Sequence, residues 1–460
     1  MEERLRQQCG VDEDRDPVVV GLSDSGRPTS PLPAGSSHCT ATQDGTFHDP
    51  PNVAEPSSSE EDVPTSSKRK QKAKAAKRDR RARKRRRLKE QMDDTEYYHR
   101  PSLSQKYQDC DRVRTTFFKV EDLPTTSNGF TGKIQPLGDR VKTLQELLDE
   151  GFRLQPWDGV SPIVFEDIRR RIFLVLAGRP VGDPTWSNLV SDVDAVLAKA
   201  AEEVKITVCK NCRGQSWEER CAKCRNRRGD FKSLTAGVSF GGGQMSPNNL
   251  VNSPRDARVV SNIVKNKSIQ RLAGYINGAF AFYGPNLWQF YAKNSSKLHD
   301  HHPNLERLFP RSVFPAAAFN LGPQVATLEH VDSTNLPFGW CAIYASGNFD
   351  PKRGGHLILR DLKLVIEFPP GSVVFIPSGT LLHGNAAIQQ HETRRSFTQY
   401  AAGGLFRWVY YGFRTEKVLE LDDEERLVHS TTSAPTRIRE ALGLFSTVNS
   451  LHRDRVRLAT

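Results

Sequence analysis

Between Val325 and Tyr400 the chain is cut into short apolar runs by tight turns, and this spacing restricts the fold more than any other feature of the sequence. The runs are WCAIYAS (340–346), HLILRDLKLVIEF (356–368), SVVFIPS (372–378) and RRSFTQY (394–400), parted by turns such as DPKRGG and PPGS. Strands so short and so closely spaced bury their apolar faces by curling into a small barrel or jelly roll.

Upstream, RRIFLVL (170–176) reads as a buried strand closed by the turn AGRPVGDP. Residues 187–203 place Leu189, Val193, Val196, Leu197 and Ala200 on one helical face. From 268 to 309 the helical period returns, with Leu272, Ile276 and Phe280 followed by Leu287, Phe290 and Tyr291. Helices flanking a strand-rich core make the class α+β.

At 460 residues the chain has room for two or three domains, or for one large domain with tails. The hydrophobic fraction is only 37%, and the deficit lies in residues 1–100, rich in Ser, Pro, Thr and charge; that composition predicts a disordered tail. From Lys68 to Lys89, fifteen Lys or Arg stand against the single acid Asp79, a local charge of +14. The formal net charge is +12, so the rest of the chain carries 12 − 14 = −2. A tract this dense is what importins and DNA phosphates read, and it predicts a nuclear protein with auxiliary DNA contact. The N-terminus MEERLRQQCG has no apolar signal core and no run approaches a membrane span, so an intracellular protein without membrane association is expected.

Two sets of residues carry metal chemistry. His330-Val331-Asp332 follows VATLEH, read as a strand, and in extended chain residues two apart face the same way. His383 comes just after SVVFIPS. Two imidazoles and one carboxylate leave coordination positions open, as non-haem iron(II) oxygenases require. Eleven residues beyond His383, Arg394 shares a strand face with Ser396 while Arg395 points oppositely. Arg394 presents a planar fork suited to the distal carboxylate of 2-oxoglutarate, and Ser396 adds a hydroxyl donor.

The second set is Cys209-x-x-Cys212 and Cys221-x-x-Cys224, eight residues apart within a module at 204–230. Paired knuckles supply four thiolates to a structural zinc that has no open position. Lys210, Arg213, Arg220, Lys223, Arg225, Arg227 and Arg228 surround them, equally consistent with a phosphate-binding face and with a solvated one.

With these residues in place, 237–413 closely resembles the basidiomycete branch of the TET/JBP family of DNA-base dioxygenases. The runs that carry it are GVSFGGGQ, FPAAAFNLGP, TLEHVD, GWCAIYASGNFDPKRGGHLIL, FPPGSVVFIPS, LLHGNAAI, ETRRSFTQYAAGGLFRW and YGFR, with FRLQPWDG and RIFLVLAGRP upstream. The resemblance implies a double-stranded β-helix at 237–415, an N-terminal part of the catalytic region at 129–236, iron on His330, Asp332 and His383, and 2-oxoglutarate on Arg394 and Ser396. It places Asn335 as a contact to the flipped base and Tyr400 as an active-site tyrosine. Where animal members carry a base-contacting histidine this chain has Ala402, which leaves the identity of the base open. The implied reaction consumes O2 and 2-oxoglutarate and carries 5-methylcytosine in double-stranded DNA through hydroxymethyl and formyl to carboxyl. The alternatives are oxidative demethylation of N6-methyladenine and a catalytically silent DNA-binding protein. A monomer is expected, with a helical or flexible extension at 416–460.

Several signals are set aside. His299, His301 and His302 are read as exposed histidines in a polar link, without metal. His356 is expected to hydrogen-bond to backbone. Gly241 to Gly243 lack the Lys-Ser/Thr of a phosphate loop and suggest close backbone approach. Among aromatic residues that could stack on a base, Phe338, Trp340 and Tyr400, a core role is favoured for Trp340.

Overall fold

A computed structural model describes residues 77–80, 107, 109–110, 112–204, 229–423, 425, 427, 428, 432 and 434–459. The cysteine knuckles, most of the basic tract and the rest of the N-terminal region lie outside them. Of the tract, residues 77–80 form one exposed helical turn.

Among the described residues the strands make two sheets. The larger has nine, in the order β1 (Arg112–Thr115), β3 (Ile163–Glu166), β4 (Ile172–Gly178), β11 (Val373–Ile376), β8 (Cys341–Asn348), β13 (Thr393–Tyr400), β7 (Ala316–Asn320), β5 (Ser233–Ser239) and β6 (Asn248–Asn249). The smaller runs β12 (His383–Asn385), β9 (Leu357–Leu359), β10 (Leu364–Ile366) and β2 (Arg153–Gln155). All pairings are antiparallel except β1–β3 and β10–β2.

Alternation explains which face of each sheet is buried against what. In the small sheet Leu357, Leu359, Leu364 and Ile366 join the main core, while Ile358 and Val365 turn the other way onto Leu147 and Phe152. Leu147 belongs to α1 (Leu144–Asp149), started by a capping box in which Thr143 and Glu146 satisfy each other's backbone N–H. In the large sheet, Ser346 and Arg395 both bond Asp194 of α2 (Trp186–Glu203), so that face is covered by helix. Ser396, one residue on, faces the opposite side.

Helix α2 buries Leu189, Val193, Leu197 and Ala200, each of the larger three worth roughly 2 kcal/mol. The stretch read as helical from 268 onward begins earlier and divides: α3 (Pro254–Lys265), α4 (Lys267–Tyr283) and α5 (Pro285–His301). Asn266 caps α4 by accepting from the N–H groups of Ser268 and Ile269, and Pro285 starts α5 at the first-turn position it tolerates. Irregular chain, not helix, fills 302–315. C-terminal to the strands come α6 (Gly403–Tyr410), α7 (Glu416–Asp422), α8 (Ala434–Leu442) and α9 (Val448–Ala459).

Three local readings change. The run 356–368 is two strands rather than one, broken by a 3-10 turn at 360–362 and by Lys363 in the left-handed region (φ 46°). VATLEH is not a strand: only isolated bridges, Gln324 with Arg394 and His330 with His383, pair the segment to its neighbours. The strand read from 170 starts at Ile172, because Arg170 has φ 66° and belongs to the preceding turn. Among the described residues no helix is long and apolar enough to cross a membrane.

Candidate metal and carboxylate site

His330 and His383 sit opposite each other across the extension of the small sheet. His330 N donates to His383 O at 2.8 Å and His383 N donates to His330 O at 3.0 Å, which brings the rings to 4.5 Å between centroids. Directly opposed residues of an antiparallel pair project to the same face. Each ring is oriented from behind: Nδ1 of His330 lies 2.6 Å from Leu328 O, and Nδ1 of His383 lies 2.9 Å from Leu381 O. Nδ1 must therefore carry the proton, leaving Nε2 as the ligating atom in each ring.

Asp332 completes the group. Its N–H donates to Ser378 O at 2.8 Å, and its Oδ1 lies 3.7 Å from His330 Nε2. One donor atom from each of His330, Asp332 and His383 falls within 4.8 Å of the others, and all three residues are buried. Behind them Glu329 pairs with Arg360, and Lys142 Nζ lies 3.8 Å away, which anchors the segment from its far side. Two neutral imidazoles and a carboxylate at this spacing suit one divalent ion.

Arg394, on β13, is fully buried. Its Nη1 donates to Val325 O at 2.9 Å, while Nε and Nη2 have no partner among the described residues. Burial pushes its pKa down to about 10, so it stays charged near neutrality. A guanidinium at the end of a dry strand, with two donors unmet, is costly unless an anion completes it. A carboxylate is the anion whose geometry matches the fork. Phe349 and Phe368 flank the group with ring centroids 5.9 Å from Cζ and keep water away.

Ser396 shares this face. Its Oγ accepts from Asn320 Nδ2 at 2.9 Å, which leaves the hydroxyl proton to donate elsewhere. Asn320 and Ser378 went unnoticed in the sequence as site residues. The signal was there for Asn320, a lone amide closing the apolar strand AAAFN.

Asn335 lies against the metal group: its N–H donates to Asp332 O at 2.7 Å and its Nδ2 to Ser378 Oγ at 3.1 Å, with Asp332 Oδ2 at 3.4 Å. Ala402 forms a bridge with Asn335 and is buried at the start of α6. Tyr400 ends β13 opposite Ala316, half-buried, on the face that carries Arg394 and Ser396.

Trp340 is a core residue, its Nε1 donating to Phe173 O at 2.9 Å and its ring packed on Phe280 and Phe375. Phe338 is likewise buried, against Phe290. His299, His301 and His302 end α5 rather than occupying a polar link. His299 is buried with Nδ1 at 2.8 Å from Ser295 O, His301 stacks on Phe413, and His302 Nε2 accepts from Trp408 Nε1. His356 differs from expectation too: neither ring nitrogen has a partner among the described residues, and burial pushes its pKa down to about 4. Gly241, Gly242 and Gly243 all have positive φ, yet a side chain there would meet nothing within 4 Å, so close packing is not why they are glycine.

No protein-family model and no curated protein matches the chain. Among solved structures, NgTET1 in complex with 5mC DNA overlaps 57% of this chain and 90% of its own, at 15% identity and a TM-score of 0.32. An oxidoreductase of the 2OG-Fe(II) oxygenase family from Burkholderia pseudomallei overlaps 37% of this chain and 68% of its own, at 15% identity and a TM-score of 0.22. Overlaps of this quality assign neither a family nor an activity, and the geometry around His330, Asp332, His383 and Arg394 stands on its own.

Proposed function

We propose that the chain is an iron(II)- and 2-oxoglutarate-dependent dioxygenase that oxidises the methyl group of 5-methylcytosine in DNA. One observation carries the proposal: beside a buried His-Asp-His group stands a buried arginine, tied through Nη1 to Val325 O at the head of the segment that bears His330 and Asp332, with two donors unmet among the described residues. A metal alone does not require the arginine, and a carboxylate alone does not require the triad. A keto acid that chelates a metal with one end and carries a carboxylate at the other requires both.

In this reading His330, Asp332 and His383 hold the iron, and Arg394 with Ser396 holds the distal carboxylate of 2-oxoglutarate. The bound pair supplies oxidation of a C–H bond by O2, coupled to decarboxylation of the keto acid to succinate. The protein's part is orientation and exclusion of water. The carbonyls of Leu328 and Leu381 fix the imidazole tautomers, Ser378 and Asn335 hold Asp332, and the rings of Phe349 and Phe368 dry the arginine. A methyl group inside a duplex is out of reach, so the nucleotide is flipped out of the stack at a cost of a few kcal/mol. Asn335 and Tyr400 are assigned to receive the base.

DNA as the substrate is supported by the basic tract at 68–89, which also supports a nuclear location and importin binding, and by the resemblance of 237–413 to DNA-base dioxygenases. The cysteine knuckles are assigned one structural zinc, and the protein is assigned as a monomer. A second reading stays open at Ala402, which stands where animal members of the family this chain resembles carry a base-contacting histidine: the base is then not fixed as cytosine, and N6-methyladenine is the alternative. Its oxidised methyl would leave as formaldehyde and so demethylate the base.

Mass spectrometry of products from duplexes carrying 5-methylcytosine or N6-methyladenine, with succinate measured in parallel, separates the readings. Hydroxymethyl, formyl or carboxyl cytosine supports the first, and unmodified adenine with formaldehyde supports the second. Absence of succinate with every methylated DNA would leave a silent DNA-binding protein.

A further inference from the structure

The loop GKIQPLG, residues 132–138, runs beside the metal-bearing segment. Gly132 N donates to Ser333 O at 2.8 Å and Gly138 N donates to Glu329 O at 2.7 Å, so its two ends are fastened to the residues that bracket His330 and Asp332. His330 spends its own backbone groups on His383, so Glu329 O, one residue away in extended chain, points to the opposite edge. The first fastening excludes a side chain and the second leaves little room for one. A Cβ on Gly132 would lie 1.9 Å from Gly379 O, and one on Gly138 would lie 3.1 Å from Glu329 N. A short hairpin braces the first end: Thr126 N donates to Thr131 O at 2.9 Å, Lys133 N donates to Pro124 O at 3.0 Å, and Phe130 is buried against Tyr410 and Tyr411.

Between these fastenings the loop holds its apolar side chains out. Ile134 is 85% exposed and Leu137 43% exposed. A single apolar residue at a surface is ordinary, but this one is carried on a loop whose two ends are fastened to the residues that bracket His330 and Asp332. Lys133 is exposed next to it, and Arg437 spans Phe130 of the bracing hairpin and Tyr410 with Cζ 4.8 Å from each ring centroid.

We propose that Ile134 is a wedge that enters the base stack of duplex DNA where the target nucleotide leaves it, with Lys133 meeting the adjacent phosphate. The inference rests on the reading of this chain as a DNA-base enzyme. Apolar side chains inserted at a base step unstack it, and a basic neighbour offsets the backbone charge. Occupying the vacated space hinders the flipped nucleotide from falling back, so Ile134 acts on flipping and not on the oxidation itself.

The test uses the full chain and a duplex with 2-aminopurine beside a single 5-methylcytosine. Without 2-oxoglutarate, binding of wild type raises the 2-aminopurine fluorescence, Ile134→Ala does not, and Ile134→Phe does. With 2-oxoglutarate, Ile134→Ala lowers kcat/KM on duplex about tenfold and leaves single-stranded substrate within about twofold, because a single strand has no paired stack to open. Equal fluorescence from wild type and Ile134→Ala, no rise with either, or equal losses on duplex and single strand would each overturn the wedge. A rise that depends on Ile134 with no succinate from any methylated DNA keeps the wedge and defeats the dioxygenase reading instead. Because Ile134 packs on little, loss of folding does not confound the alanine variant.

Discussion

His330 and His383, 53 positions apart in sequence, exchange both of their backbone hydrogen bonds, and this one bridge sets the two imidazoles side by side. A histidine pair held by main chain on both sides is preorganised, so metal binding need not order it. The ligand set is therefore expected to be intolerant of substitution and separable from DNA affinity.

His330→Ala and Asp332→Ala are expected to abolish oxidation, with DNA affinity changed by less than about threefold, because phosphate contacts supply most of that affinity. Product formation and fluorescence anisotropy on the same duplex measure the two effects. Retained turnover in either variant would remove iron from these residues.

Arg394→Met should behave oppositely in stability and in cosubstrate binding. Removing a buried guanidinium with unmet donors leaves the ligand-free protein as stable or more stable, while KM for 2-oxoglutarate rises about tenfold or more. In wild type, 2-oxoglutarate with a redox-inert divalent metal raises Tm, and in the variant that increment disappears. An unchanged increment would mean that the carboxylate binds elsewhere.

His356 makes stability depend on pH. Its folded pKa of about 4 lies below the unfolded value near 6.5, so between these values the unfolded chain holds more protons. The stabilising contribution is complete above pH 6.5 and is lost as pH falls toward 4. Relative to pH 7.5, His356→Leu should lose about 2 kcal/mol less stability than wild type on going to pH 5. Urea unfolding at the two pH values checks this, and parallel losses in both proteins would refute it.

Trp340→Phe removes a hydrogen bond to Phe173 O and leaves a void beside Phe280 and Phe375, costing about 1–3 kcal/mol. Activity per folded molecule is expected to stay within about twofold, since a core role leaves the differential binding of the transition state untouched. A fall in kcat/KM without a fall in Tm would make Trp340 a substrate contact.

The zinc assignment predicts one equivalent of zinc per chain by elemental analysis, and its loss in Cys212→Ser. Full occupancy in the variant would place the zinc on other ligands.

Local pattern alone determined a good part of this protein. Short β-rich runs parted by turn signals announced β8, β11 and β13, and the 3.6-residue period announced α2, because these depend on neighbours in the chain. Ligand chemistry was also local in kind: His-x-Asp, a later histidine and an arginine–serine strand are recognisable from residue type and spacing. Tertiary structure decided the rest. VATLEH has strand-like composition, yet its backbone partners are scattered, from Gly138 on one side to His383, Asn385 and Arg394 on the other, and it pairs with them at single points and not as a ladder. The orientation of Asn335 beside Asp332 depends on Ser378, 43 positions on, whose hydroxyl accepts from its amide. No local pattern marks Arg394 as half-satisfied, because that depends on which carbonyls and rings the two sheets bring around it. Nor does any local pattern mark 132–138, and only its fastening to Glu329 and Ser333 ties a loop with an exposed isoleucine to the segment that bears His330 and Asp332. Residue type and period are properties of a short stretch of chain, whereas the satisfaction of a buried donor depends on contacts that folding alone creates.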